Sequence, residues 1–141
     1  MQTISDIMTQ DVVTLSPAHT LFDAEKLMRE RHVRHIPVVN EQNEVCGVLS
    51  QKEFLREAFR ITDKFGAHHL QEYLAKTPVG DCLSDDICLV PAAMPLGEAG
   101  EKLRQERKNG CLMVANDERH LLGIVTSQDF VRLAVSLLQG S

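Results

Sequence analysis

Thr126 and Asp129 stand three residues apart, where the apolar run Leu121 to Thr126 gives way to helically spaced residues from Ser127 onward. A carboxylate in that place can accept two hydrogen bonds at once from neighbouring hydroxyls, as the 2′ and 3′ hydroxyls of a ribose would offer. The Thr126 hydroxyl and the first amides of the following helix suit a phosphate, because helix N-termini favour anions. Gly123 leaves room for another backbone to approach, and an apolar slot beside it would take a flat purine. The same pair fits a plainer role as well: a Thr N-cap followed by an acid in the first helical turn needs no ligand.

The arrangement occurs twice. Gly47-Val-Leu-Ser50-Gln-Lys-Glu53 lies over Gly123-Ile-Val-Thr126-Ser-Gln-Asp129 with a shift of 76 (123 − 47). Upstream, Thr3 to Val39 lies over Pro78 to Val114 with a shift of 75 (114 − 39), so one extra residue is expected to enter the second copy after Val114. The first copy carries Ser50 for Thr and Glu53 for Asp, an acid one methylene longer. Misplacement of about 1 Å weakens a bidentate contact, so two unequal sites are expected, the Asp129 one favoured. Two copies of a unit that cannot bury its apolar face alone pack together.

The elements that must position these residues can be read in each copy. Ile4 to Thr9 reads as a helical turn and Val12 to Leu15 as a brief strand ended by Ser16-Pro17. Thr20 with Asp23 opens a helix in which Leu21, Ala24, Leu27 and Met28 repeat at helical spacing to about Arg31. His35 to Val39 and Val45 to Ser50 read as strands around a polar turn, and Gln51 to Phe59 as a helix. In the second copy the strand is Ile87 to Val90, the helix Leu96 to Lys108, the strand pair Cys111 to Ala115 and Leu121 to Thr126, and the last helix Ser127 to Leu138. The expected division is residues 1–60, a partly helical linker 61–77 with Leu70 to Leu74 as its helix, and residues 78–141.

Composition narrows the function classes. The chain has 141 residues, 43% hydrophobic and 25% charged, enough for an ordinary globular core. Its net charge of −5 is evenly spread, with 8 basic and 10 acidic residues in 1–70 and 7 and 10 in 71–141. Duplex nucleic acid and anionic membranes are therefore poor partners, since both demand clustered Lys and Arg. Neither a signal-peptide pattern nor an apolar run of about 20 residues is present, and a cytoplasmic location is expected. The cysteines sit singly among apolar neighbours, and the histidines lack the companion ligands of a metal shell, so no metal is expected. With no P-loop, nucleophile elbow or dinucleotide-binding glycine motif, binding rather than catalysis is expected, and no obligatory cofactor.

Several signatures occur in order: Ile7-Met8-Thr9, Val12-Val13-Thr14-Leu15-Ser-Pro, Thr20-Leu21, Val33-Arg34-His35-Ile36-Pro37-Val38-Val39 and Gly47-Val48-Leu49-Ser50. Together with the doubled β-α-β-β-α plan they resemble the CBS domain, over Ile4 to about Phe59 and Val79 to about Leu138. The resemblance implies a mixed α/β (α+β) fold in which two CBS units pack as a pseudo-twofold Bateman module, a stand-alone CBS domain protein that forms homodimers. It implies an adenosine-containing regulatory ligand: AMP, ADP, ATP, S-adenosylmethionine or NAD. The site would lie in the cleft between the repeats and change the dimer for a separately encoded partner. Each site would join the acidic signature of one copy to the purine-facing strand of the other. Ile124, Thr126 and Asp129 would meet Met8, Val13, Val33, Arg34 and His35, with Asn109 and Gly110 from the site's own lobe. Arg34 and His35 would neutralise phosphate. A weaker second site would join Val48, Ser50 and Glu53 to Cys88, Lys108, Asn109 and Gly110. The other reading is a structural module that binds no ligand and dimerises through the exposed faces of the Gln51 and Ser127 helices.

Overall fold

Capping chemistry sets the helix starts. In the computed structural model, which describes residues 3–83, 87–106 and 110–140, α1 spans Leu21–Arg31 behind its N-cap Thr20. The Thr20 hydroxyl accepts from the Asp23 amide at 3.3 Å, and the Asp23 carboxylate accepts from the Thr20 amide at 2.9 Å. Two of the donors that every helix start leaves unpaired are thereby satisfied. Leu21, Ala24 and Met28 form its buried face, and His32, at φ 54°, ends it in the left-handed region.

The strand pairs follow from a repeated turn. β1 (His35–Val39) and β2 (Val45–Ser50) pair antiparallel, His35 opposite Ser50 and Val38 opposite Gly47. Asn40 Oδ1 accepts from the amides of Gln42 and Glu44 at 2.9 Å each, and Asn43 takes φ 63°. Asn116 does the same between β4 (Cys111–Ala115) and β5 (Leu121–Thr126), accepting from Glu118 at 3.0 Å and His120 at 2.9 Å. Arg119 stands there at φ 66°. Both hairpins bulge at matching places, after Val38 and after Val114.

That match corrects the expected point of insertion. Val38 and Val114 are equivalent at a shift of 76, and His35 is equivalent to Cys111 at the same shift, so Val39 answers to Ala115 rather than Val114. α1 and α4 (Leu96–Gln105) still begin 75 apart. The extra residue therefore enters between α4 and β4, where lengthening a connection costs little.

Other boundaries move for local reasons. α2 runs Gln51–Phe65, past the expected Phe59, because Ala58, Ile61 and Phe65 continue the buried stripe; Ile61 is 1% exposed. Gly66, at φ 93°, stops it. A 3-10 turn, Ala67–His69, then leads into α3 (Leu70–Leu74), as expected of the linker. The expected strand Val12 to Leu15 reduces to a single bridge of Leu15 with Val38. β3 is only Leu89–Val90, parallel to β4, rather than Ile87 to Val90. α4 ends at Gln105 instead of Lys108, which lies outside the described residues. α5 covers Ser127–Gln139.

The chain folds into two compact units, residues 13–85 and residues 1–12 with 86–141. The leading segment of each repeat thus belongs with the body of the other. Ile4, fully buried, packs with Val90, Met94, Leu112, Val114 and Val125, and its amide donates to Met94 O at 2.8 Å. Val79, also fully buried, packs with Leu15, Leu21, Ile36 and Val38, and its amide donates to His19 O at 2.6 Å. Both partners in these two bonds differ by 75, so one contact has been made twice.

Candidate functional site

Among the described residues Asp129 is the one charged residue that is buried, its side chain 2% exposed. It stands in the first turn of α5, whose N-cap is Thr126. Asp129 Oδ2 accepts from the Thr126 amide at 2.7 Å. Oδ1 accepts from the Thr9 hydroxyl at 3.0 Å and from the Arg132 guanidinium. A buried carboxylate needs such partners, because an unpaired charge out of water is very costly. Thr126 Oγ1 accepts from the Gln128 amide at 3.3 Å. The capping role and the buried acid therefore coexist in one structure.

Gly123 explains how Thr9 arrives. Thr9 and Ile124 form an antiparallel bridge, amide to carbonyl at 2.9 and 3.0 Å in the two directions. A Cβ on Gly123 would fall 2.8 Å from Met8 Sδ and 2.9 Å from Thr9 O. The space expected to admit another backbone is filled by the chain's own leading segment. Thr9 was not among the residues expected at the site. A signal existed, since the shift of 75 pairs it with Ser84, another hydroxyl residue, which lies outside the described residues.

The mirror position differs. Ser50, N-cap of α2, is 3% exposed and accepts from the Glu53 amide at 3.1 Å. Glu53 turns along its own helix to Arg56, 3.1 Å away, with its side chain 20% exposed. The longer acid thus sits further out than Asp129 and bonds to its own surface.

The remaining expected residues fall in their own units as follows. Beside Asp129's element, Ile124 is 8% exposed in β5, and Met8 and Cys88 pack against the core around Ile4. Gly110, at φ 70°, precedes β4; Asn109 and Lys108 lie outside the described residues. In the other unit Val48 is fully buried, Val33 packs against the core around Leu21, and Val13 is half-buried. Arg34 is exposed, and its carbonyl accepts from the Gln51 amide at 2.7 Å; His35 opens β1. Cys111, equivalent to His35, is 2% exposed, and burial, helped by Glu106 and Cys88, pushes its thiol up to about 12. A neutral buried thiol offers nothing to a phosphate, so the two copies differ here too.

His68 and His69 sit with ring centroids 4.2 Å apart, and His69 Nδ1 lies 3.3 Å from Glu72. Among the described residues no group of three or more His, Cys, Asp or Glu comes together to hold a metal ion, and no helix is long and apolar enough to cross a membrane.

A family model described as the CBS domain matches residues 4–60 and 79–136. The CBS domain-containing protein YhcV of Bacillus subtilis is 31% identical over 129 residues, covering 92% of this chain and 83% of that protein. Among solved structures, a Vibrio cholerae protein provisionally assigned to acetoin utilization (AcuB) is 31% identical with a TM-score of 0.82, over 99% of this chain and 94% of that one. CBSX2 in complex with AMP is 25% identical with a TM-score of 0.80, over 99% and 100%. Several curated relatives are far longer: the chain spans 24% of a homoserine O-acetyltransferase from Methanohalobium evestigatum, at 25% identity over 92% of this chain.

Proposed function

The chain belongs to the CBS domain family, and from that premise we propose that it is a regulatory module that binds an adenosine-containing molecule, with Asp129 accepting from the ribose hydroxyls. The observation that carries the proposal is the burial of Asp129 at the start of α5, 3% exposed, beside Thr126 and Gly123. AMP in the complex of CBSX2, 25% identical, supports the ligand class. The Thr126 hydroxyl, which accepts from the Gln128 amide, keeps its own proton to donate to a phosphate at the start of α5. Val13, Val33, Arg34 and His35 belong to the other unit, and their share in holding base and phosphate is part of the proposal, as are the lesser role of Glu53 and the choice among adenine nucleotides, S-adenosylmethionine and NAD.

The proposal is of binding without turnover. The ligand acts by changing a homodimer that a separately encoded protein reads, and the dimer surfaces are the exposed apolar faces of α2 and α5. Leu55 and Phe59 are 43% and 69% exposed on α2; Val131, Val135 and Leu138 are 52%, 45% and 83% exposed on α5. Spacings of four and three residues put each set on one helical face.

A second reading, a dimerisation module without a ligand, draws on the bonds that Asp129 already makes to Thr9, Thr126 and Arg132. A thermal shift screen with adenosine ligands separates the two. A ligand at about 100 times its dissociation constant adds about 2.7 kcal/mol to native stability. A set of ligands that all leave the melting point unmoved would favour the ligand-free module.

A further inference from the structure

We infer that Thr9 is the positioning residue for ribose recognition, its hydroxyl holding the Asp129 carboxylate in the plane that a vicinal diol requires. The inference rests on the proposed reading of Asp129 and adds a residue to it. An ionised carboxylate has about four acceptor positions, two on each oxygen. Three are occupied: Oδ2 by the Thr126 amide, Oδ1 by the Thr9 hydroxyl and the Arg132 guanidinium. A vicinal diol donates once to each oxygen, so Oδ2 is ready and Oδ1 must release one donor.

Arg132 is the donor that leaves. Its side chain is 65% exposed and reaches the buried Asp129 from one helical turn away, so a departing guanidinium returns to water while the diol hydroxyls take its place as donors to the carboxylate. Thr9 stays. Its amide and carbonyl are both paired with Ile124, its backbone lies against Gly123 with no room for a side chain between them, and a β-branched residue is stiff about χ1. With Thr9 on one oxygen and Thr126 on the other, the carboxylate cannot rotate, and its two remaining acceptor positions keep one fixed spacing. Orientation of that kind is what distinguishes a bidentate contact from a loose one.

The test compares AMP with 2′-deoxy-AMP by calorimetric titration of the wild type, Thr9→Val and Thr9→Ser, alongside nucleotide-free melting of Thr9→Val, Asp129→Asn and the double variant. AMP affinity is expected to fall about tenfold in Thr9→Val, the preference for AMP over the deoxy compound to shrink with it, and Thr9→Ser to restore both. Melting shifts of the two single substitutions should not add in the double variant. A preference left intact in Thr9→Val overturns the inference, because a merely structural role would weaken both nucleotides alike. Additive melting shifts overturn it by removing the hydrogen bond itself. Non-additive shifts in a wild type that binds neither nucleotide refute the ribose reading and leave the Thr9–Asp129 bond as a tie within the fold.

Discussion

Gly123 and Thr9 lie so close that a single added carbon on the glycine would stand 2.9 Å from the Thr9 carbonyl oxygen. The missing side chain is what lets the leading segment pair with β5 and carry a hydroxyl to Asp129, 120 residues further along the chain. Gly123→Ala must displace backbone as well as the flexible Met8 side chain. It should destabilise the protein by about 1–3 kcal/mol, the usual cost of overpacking, and lower AMP binding at the same time. Urea unfolding with a parallel titration measures both. An alanine variant as stable as the wild type would mean that the segment is not docked as described.

The leading segments contribute core as well as polar groups. Ile4 is fully buried among Val90, Met94 and Leu112, so Ile4→Ala should cost about 2–5 kcal/mol. Hydrogen exchange should show the loss first in β4 and β5, although Ile4 belongs by sequence to the first repeat. Protection lost first in β1 and β2 would contradict the exchange of segments.

Thiol chemistry should follow burial. Burial, with Glu57 and Asp81, pushes Cys82 up to about 11, and burial pushes Cys111 up to about 12. At pH 8 Cys111 would stay almost wholly protonated, so labelling followed by mass spectrometry should find exposed Cys46 modified long before Cys111. The same shift has a consequence for stability. A pKa raised above 9.0 in the fold leaves stability intact below about pH 9 and drains it as pH climbs toward 12, since the unfolded chain loses its proton first. Unfolding midpoints should therefore fall above pH 9, and Cys111→Val should flatten that fall. Equal slopes in the two proteins would refute the assignment.

Much of this was legible beforehand because the chemistry is local. Thr20 with Asp23, Asn40 and Asn116 at their turns, and the apolar runs of β1, β2, β4 and β5 each announce an element within a few residues. Asp129 stood out because its partner Thr126 is three residues away. Thr9 did not, since nothing within its own stretch requires an acid that is 120 residues distant. The last turn of α2 was hidden by polar Thr62, Asp63 and Lys64, although Ile61 and Phe65 kept the apolar spacing. The place of the extra residue is hidden in the sequence because Val39 and Val114 match by type, whereas the bulges make Val39 equivalent to Ala115.

The apolar faces of α2 and α5 give a prediction about assembly. Phe59→Asp and Val135→Asp alter side chains 69% and 45% exposed, so each should leave folding within about 0.5 kcal/mol of wild type while shifting a dimer to monomer. Sedimentation at matched concentrations reads this. A wild type that is already monomeric would remove the dimer from the proposal.

Whether Asp129 reads a ribose is measured most directly by calorimetric titration of AMP into the wild type, Asp129→Ala and Glu53→Ala, with circular dichroism confirming that each is folded. AMP should bind the wild type saturably, lose about tenfold or more in affinity in Asp129→Ala and change little in Glu53→Ala. Undiminished binding by a folded Asp129→Ala would contradict the ribose reading.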